Sequence, residues 1–502
     1  MEHAKVILDK DFIVGEVDPR LFSGFAEHLG RHIYTGLYEP GHPQADEQGF
    51  RRDVLELVRE LNMPLMRYPG GNYVSGHNWE DGVGPRDQRP RRLDLAWETT
   101  ETNQFGTNEF MDWCRKAGTA PMLAVNLGLR GADAARNYLE YCNHPGGTYW
   151  SDLRHQHGYP QPHQVKHWCL GNEMDGPWQI GHKTATEYGR LAAETARVMK
   201  KFDPTLQLVV CGSSNRGMPT FGSWEMEVLD HTFDDVDYLS IHTYYGKGKD
   251  SSGAFLGWAD HMDRFIEDVS AFTDAIAGKR RSFKRVHLSF DEWNIWGNTL
   301  NPEKKWQVAP CQLEQIYTAE DALAFGGLIL SLINHADRVK IGCLAQVVNV
   351  IAPIMTAPGG PAWRQTIFHP FVQASRYGRG TVLRALVDST KYDASNGNGF
   401  PHLKIAAVRN AEATGLTLFA LNRALTEPLE LAVDLRSFGP LNVSDWSVLR
   451  EDDLSAINTA TAPNRVCPKP AQGAVVERGH LRATLLPASW NVIRLTGKKN
   501  SK

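Results

Sequence analysis

The sequence is short of the features that mark several broad protein classes. It has seven cysteines, an odd number, and no CxxC pair. Cys114, Cys142, Cys169, Cys211, Cys311, Cys343 and Cys467 are scattered, several of them in apolar strand-like runs. That argues against a disulfide frame or a cysteine zinc site, and the expectation is reduced, buried thiols. Neither sign of charge dominates. A formal net charge of −4 gives no basic stripe for nucleic acid and no cationic face for a membrane surface. Long hydrophobic runs are missing as well. The longest, Ala322 to Ile333, is too short to span a bilayer and contains Gly326-Gly327, so it reads as a buried helix. The opening Met1-Glu2-His3-Ala4-Lys5 has neither the charged nor the apolar region of a secretory signal, and the expectation is a soluble cytoplasmic protein.

What is present is ample apolar material. Hydrophobic residues make up 42% of the 502 and charged ones 22%, a globular balance with room for more than one domain. Eight strand candidates alternate with helix-period segments: 22–29, 64–69, 121–127, 165–170, 206–212, 236–242, 286–290 and 339–348. The clearest helices between them are 50–62, 108–117, 132–142, 184–202, 265–277 and 313–335. This alternation predicts a closed (β/α)8 TIM barrel over residues 20–380. An open doubly wound sheet would show GxGxxG after its first strand, where Gly24-Phe25-Ala26-Glu27-His28-Leu29-Gly30 stands instead. Beyond about residue 380 helical periodicity stops and short β-prone runs take over, predicting a β-sandwich over 381–502. The strands of residues 1–19 have no helix partner and are expected to join it. The tail Lys498–Lys502 is expected to fray.

In such a barrel the reactive groups sit at the C-terminal ends of the strands. Those ends read Glu27-His28, Arg67-Tyr68-Pro69-Gly70-Gly71-Asn72, Asn126, Asn172-Glu173, His242-Thr243-Tyr244-Tyr245, Asp291-Glu292 with Trp296 beyond, and Gln346 with Asn349. Acids, amides, Tyr, Arg and His exceed what turns require. Two glutamates, Glu173 and Glu292, each end an apolar strand, where carboxylates are disfavoured. From roughly opposite arcs of the ring they form the pair that glycosidic cleavage needs: an acid to protonate a poor leaving oxygen, and a carboxylate at the anomeric carbon. The bland readings are a Glu27 salt bridge to Arg31 or Arg67, and Glu173 capping the helix near Thr184. Strand alternation places Asp291 and Glu292 on opposite faces, so that one alone enters the pocket. His155, His157 and His163 lack carboxylate partners at ligand spacing and read as a solvated loop over 155–163, not a metal site.

Gly24 to Arg31, Arg67 to Asn72, Gly171-Asn172-Glu173-Met174-Asp175-Gly176 and Asp291-Glu292-Trp293-Asn294 together resemble the α-L-arabinofuranosidases of glycoside hydrolase family 51. The likeness runs nearly end to end. It implies a retaining, exo-acting enzyme that releases terminal arabinofuranosyl residues from arabinan- or arabinoxylan-derived oligosaccharides. It makes Glu173 the general acid/base and Glu292 the nucleophile. By the same resemblance Asn172 bonds the sugar 2-hydroxyl, and Glu27, Arg67, Asn72, Tyr244 and Gln346 line the subsite. Tyr244 also holds the nucleophile, His242 supports the acid/base, and Trp97 and Trp296 are aromatic walls. No cofactor or metal is implied, and an intracellular homo-hexamer is. The alternatives are an endo-β-glycanase on the same barrel and a sugar-binding protein without turnover.

Overall fold

A computed structural model describes residues 2–297 and 305–497; the expected frayed tail, Lys498–Lys502, lies outside them. Eight parallel strands close a barrel: β1 (Ser23–Phe25), β2 (Leu65–Tyr68), β3 (Ala120–Val125), β4 (His167–Leu170), β5 (Gln207–Cys211), β6 (Tyr238–Tyr245), β7 (His287–Ile295) and β8 (Val339–Ala345), with β8 pairing back onto β1. Parallel strands are buried on both faces and therefore read as near-continuous apolar runs. Inward, Phe25, Leu65, Met122, Cys169, Val209 and Ile341 fill the barrel. Outward, residues such as Leu123, Leu170, Val210 and Leu288 pack on the helices.

The expected apolar helix, Ala319–Asn334, is buried along nearly its whole length. It is sandwiched between the barrel and the C-terminal domain, which explains its glycines. A Cβ at Gly326 would lie 2.6 Å from the Trp490 ring, and one at Gly327 would lie 3.2 Å from Ala259 Cβ. No helix among the described residues is long and apolar enough to cross a membrane.

The C-terminal domain is two sheets over one apolar core. Glu2–Ile7 runs between Leu386–Ser389 and Leu429–Asp434 in the smaller sheet, and Ile13–Glu16 pairs with Thr381–Leu383 at the edge of the larger. Val6, Leu383, Ile405, Leu418, Val433 and Ile493 meet between the sheets.

Three helices were not predicted: Tyr149–Gln156, Ser223–Thr232 and Phe368–Tyr377. The first takes in only the start of the 155–163 segment: His155 lies in its last turn, while 157–163 is the expected loop, exposed or half-buried throughout. In that loop His157 Nδ1 lies 3.0 Å from the Tyr141 hydroxyl, and His163 Nε2 lies 2.9 Å from Asn108 Oδ1. The helix expected over 265–277 begins much earlier, at Ser252, with the Ser251 hydroxyl accepting from Ala254 N. Of the cysteines, Cys311 is exposed and Cys467 half-buried, while the other five are buried; all are free thiols.

Candidate active site

The C-terminal ends of the strands converge on a cavity of about 790 Å³. Glu292 enters it from β7. Glu173 enters from the turn after β4, where Gly171 takes a φ of 92° and Glu173 itself takes 42°, a conformation uncommon outside glycine. One oxygen of Glu173, one oxygen of Glu292 and a ring nitrogen of His242 lie within 4.8 Å of one another.

His242, on β6, joins the acids. Its Nδ1 is 2.9 Å from Glu173 Oε1 and 3.7 Å from Glu292 Oε2, and its Nε2 is 3.1 Å from Asp291 Oδ1. Burial alone would strip the ring of charge. The facing carboxylates of Glu292, Asp291 and Glu173 outweigh it and push the imidazole up to about 10. Glu173, His242 and Glu292 have the donor types of a metal site, but both ring nitrogens of His242 are already turned to carboxylates, Nδ1 to Glu173 and Nε2 to Asp291.

Glu292 is fixed at both oxygens. Arg67 Nη1 donates to Oε1 at 2.7 Å, and the Tyr244 hydroxyl donates to Oε2 at 2.7 Å. Arg67 Nη2 donates to Asn172 Oδ1 at 2.6 Å, and Asn172 Nδ2 reaches Asn72 Oδ1 at 3.4 Å. The Arg67 guanidinium also lies over the Phe25 ring, 4.6 Å from its centroid. Arg67, Asn172 and His242 stand behind the wall of the cavity. Glu27, Asn72, Trp97, Tyr244, Trp296 and Gln346 line it with the two glutamates. Arg67 therefore holds Glu292, and is not part of the lining the sequence suggested.

Glu27 has no salt bridge to the arginines considered for it. Arg31 pairs with Glu314, and Arg67 with Glu292 and Asp291. Instead Glu27 Oε1 accepts from Tyr73 N at 3.0 Å and Trp97 Nε1 at 2.8 Å, and Oε2 accepts from Gln346 Nε2 at 3.0 Å. Burial first, then the charge of Glu292, pushes its carboxyl up to about 8. Gly70 and Gly71 let the backbone press against it: a Cβ at Gly71 would lie 2.6 Å from Glu27 Oε2. Trp296 stands at the mouth, its ring edge-on to Tyr244.

Two expectations are corrected. Asp291 and Glu292 do not face opposite ways, although Glu292 alone of the two lines the cavity: both lie within 4 Å of Arg67 and of His242. The cause is a bulge. Ser240 pairs with Ser289 but His242 pairs with Glu292, so β7 carries one residue more than β6 over this stretch, and the pairing of β7 with β8 shifts between Phe290 and Trp293. Asp291 is fully buried and accepts from Ser240 Oγ at 2.5 Å. Burial works against its charge, yet Arg67 and His242 hold it below the usual carboxylate range. Asn126, grouped with the reactive strand ends, serves its own loop: its Oδ1 accepts from Gly128 N and Leu129 N and its Nδ2 donates to the His77 carbonyl. Glu173 does not cap the helix Ala185–Phe202: Thr184 does, its hydroxyl accepting from Glu187 N while the Glu187 carboxylate accepts from Thr184 N.

Trp178, which sequence reasoning missed, donates from Nε1 to Glu173 Oε2 at 2.7 Å. Asp175 accepts from Ser214 N at 3.0 Å, and burial with the neighbouring Glu173 pushes it up to about 6. Asp175 stands in the Gly171–Gly176 motif, whereas Trp178 has no sequence signal beyond its place in the loop that follows Asn172-Glu173.

Comparison with known proteins agrees with this geometry. The "Alpha-L-arabinofuranosidase 1 domain" matches residues 57–264 and the "Alpha-L-arabinofuranosidase C-terminal domain" matches residues 291–489. An intracellular exo-α-(1→5)-L-arabinofuranosidase of Halalkalibacterium halodurans is 56% identical, over 99% of each chain. One from Bacillus subtilis is 54% identical over the whole of both chains. The solved structure of a family 51 α-L-arabinofuranosidase from Bifidobacterium longum superposes with a TM-score of 0.94 at 43% identity, covering 98% of this chain and 99% of that one. With full-length identity of this order, a closed eight-stranded barrel and paired glutamates at its mouth, the chain belongs to the glycoside hydrolases of family 51, the α-L-arabinofuranosidases.

Proposed function

We propose that the chain is a retaining exo-α-L-arabinofuranosidase that removes terminal arabinofuranosyl units from arabinan- or arabinoxylan-derived oligosaccharides. The observation that carries the retaining mechanism is the closeness of the two carboxylates, one oxygen of each lying within 4.8 Å of the other. Retaining glycosidases keep theirs about 5–5.5 Å apart, whereas inverting ones leave room for a water at roughly 6.5–9.5 Å. Glu292 attacks the anomeric carbon as the bond to the leaving oxygen breaks, and the Glu173 proton passes to that oxygen. This gives a covalent arabinosyl-enzyme. Glu173 then takes a proton from water, whose oxygen displaces Glu292 and releases arabinose. Arg67 and Tyr244 aim the attacking carboxylate. Asn172, whose Nδ2 is turned to Asn72 Oδ1 behind the cavity wall, has to turn that amide inward to meet the 2-hydroxyl.

Exo action is supported by the inner end of the cavity. There Glu27 is tied to both Trp97 and Gln346, closing the pocket around one terminal ring where an endo-β-glycanase needs an open cleft. The names of the relatives favour the (1→5) linkage and an intracellular setting. We take the protein to be a cytoplasmic homo-oligomer, hexameric by its resemblance, which light scattering tests.

The decisive experiment pairs two variants. Glu292→Ala should abolish turnover of every arabinofuranoside and be rescued by azide, giving a product of inverted anomeric configuration. Glu173→Ala should slow oligosaccharides far more than activated aryl arabinofuranosides. Near-wild-type rates on oligosaccharides in both variants would refute the assignment. Cleavage of linear β-glucan would instead favour the endo reading.

A further inference from the structure

The loop after Glu173 places an indole where the leaving group has to arrive. Glu173 Oε1 is turned toward His242 and Glu292, 2.9 Å from Nδ1. A leaving oxygen that is to receive a proton must come within hydrogen-bond reach of the carboxyl, and so must approach Oε2. Trp178 Nε1 already stands 2.7 Å from Oε2.

This partner differs from the others around the glutamate. His242 is 2% exposed and Glu173 8%, whereas Trp178 is 48% exposed. Its inward pose depends on a bare α-carbon, since a Cβ at Gly176 would lie 2.6 Å from Trp178 Cε2. Past Trp178 the cavity continues along Ser214, Arg216, Trp258 and His261, away from Glu27. At about 790 Å³ it has more room than one arabinofuranosyl unit fills.

We propose that Trp178 is an exchangeable partner of the acid/base: its indole N–H yields Oε2 to the glycosidic oxygen when an aglycone sugar enters, and returns when that sugar leaves. With the aglycone bound, the indole turns toward the outer arm and offers the sugar a flat apolar face. After the aglycone departs, the returning N–H favours the ionised carboxyl, the form that takes a proton from water. Trp178 is thus a positioning residue that matches proton delivery to one half of the cycle and proton uptake to the other. The inference rests on Glu173 being the acid/base.

The test uses full-length enzyme and two substrates: an arabino-oligosaccharide, whose leaving oxygen needs a proton, and an aryl arabinofuranoside whose activated phenol does not. Trp178→Phe keeps an aromatic face and deletes the N–H. Gly176→Ala keeps the indole and denies it the inward pose. In both, the ratio of kcat/KM for oligosaccharide to that for aryl substrate should rise about tenfold, because no hydrogen bond to the acid has to be given up before proton transfer. A ratio that is unchanged or lower would mean that the indole stays bonded throughout, and overturns the proposal. Separately, in Glu292→Ala, arabinobiose should change tryptophan emission while arabinose does not. Adding Trp178→Phe should remove that change; its persistence would also overturn the proposal. If the wild type cleaves no arabinofuranoside, it is the functional reading that falls.

Discussion

Glu27→Gln should stabilise the protein in alkali while weakening its hold on sugar. Glu27 is a buried carboxyl whose three hydrogen-bond partners, Tyr73 N, Trp97 Nε1 and Gln346 Nε2, all donate to it. The amide keeps its shape, and the one donor–donor clash it creates is relieved locally: Gln346 Oε1 has no hydrogen-bond partner, so that amide can turn over to accept. An unfolded glutamate ionises near 4.5 and the folded one at about 8. Between those values the native state holds a proton that the unfolded state has lost, so the wild type loses stability as pH rises from about 4.5 to about 8. The variant has no such loss. At roughly 1.4 kcal/mol for each of the ~3.5 pH units, the gap has an upper bound of ~5 kcal/mol. Unfolding entropy of about 2.1 cal/mol/K per residue makes 1 kcal/mol worth ~1 °C in a chain of this length. Melting curves of both proteins between pH 5 and 9 should therefore show a Tm gap in favour of Glu27→Gln that widens to a few degrees near pH 8 and then levels. A gap independent of pH, or one that narrows toward alkali, would refute the burial argument. Arabinofuranoside KM should rise in the same variant, because Glu27 lines the inner end of the cavity.

Further outcomes follow from the same contacts. Asp291→Asn removes one of the carboxylates facing Arg67 and His242. It should cost ~3 kcal/mol in denaturant unfolding, the usual scale for breaking a buried ion pair, and lower kcat at least about tenfold; stability within ~0.5 kcal/mol of wild type would show that the pairing is not needed. Gly71→Ala drives a methyl to within 2.6 Å of Glu27 Oε2. It should raise KM several-fold with little change in melting temperature, and an unaltered KM would mean that Glu27 can move without consequence.

The fold was legible because its signals are local and repeated. Each of the eight barrel strands is a short apolar run, most are followed by a legible helical period, and each falls within a few residues of its observed place. The ends were less certain. β1 loses Phe22 to a 3-10 turn, Pro19–Phe22, capped by the Asp18 side chain accepting from Arg20 N, and it stops at Phe25 because the chain then turns, with Leu29 N donating to the Glu27 carbonyl. The helix Ser252–Lys279 was read short because Gly253 and Gly257 interrupt its opening; both lie against aromatic rings of the 391–401 segment, Tyr392 and Phe400, which local sequence does not reveal. In the site, residues at strand ends were found by position alone. Asp291 was misjudged because period-2 alternation holds only in a regular ladder, and the bulge that turns it inward is a property of β6 and β7 together. Trp178 was missed because nothing in a loop sequence says which way an indole folds back.

The bulge matters because of how charge is balanced in a space that excludes water. A lone buried ion is costly, and such groups persist when each faces an opposite charge. On the roles proposed above, a protonated Glu173 leaves two cations, Arg67 and the His242 imidazolium, facing two anions, Glu292 and Asp291. When Glu292 becomes an ester it loses its charge, and Glu173, having given up its proton, gains one. The two cations still face two anions, now Asp291 and Glu173. Glu27 adds no charge to either count below about pH 8. Asp291 supplies the anion common to both states, and it can do so only if it points inward beside Glu292. The extra residue in β7 thus lets the buried cluster stay neutral while the negative charge moves from one catalytic carboxylate to the other.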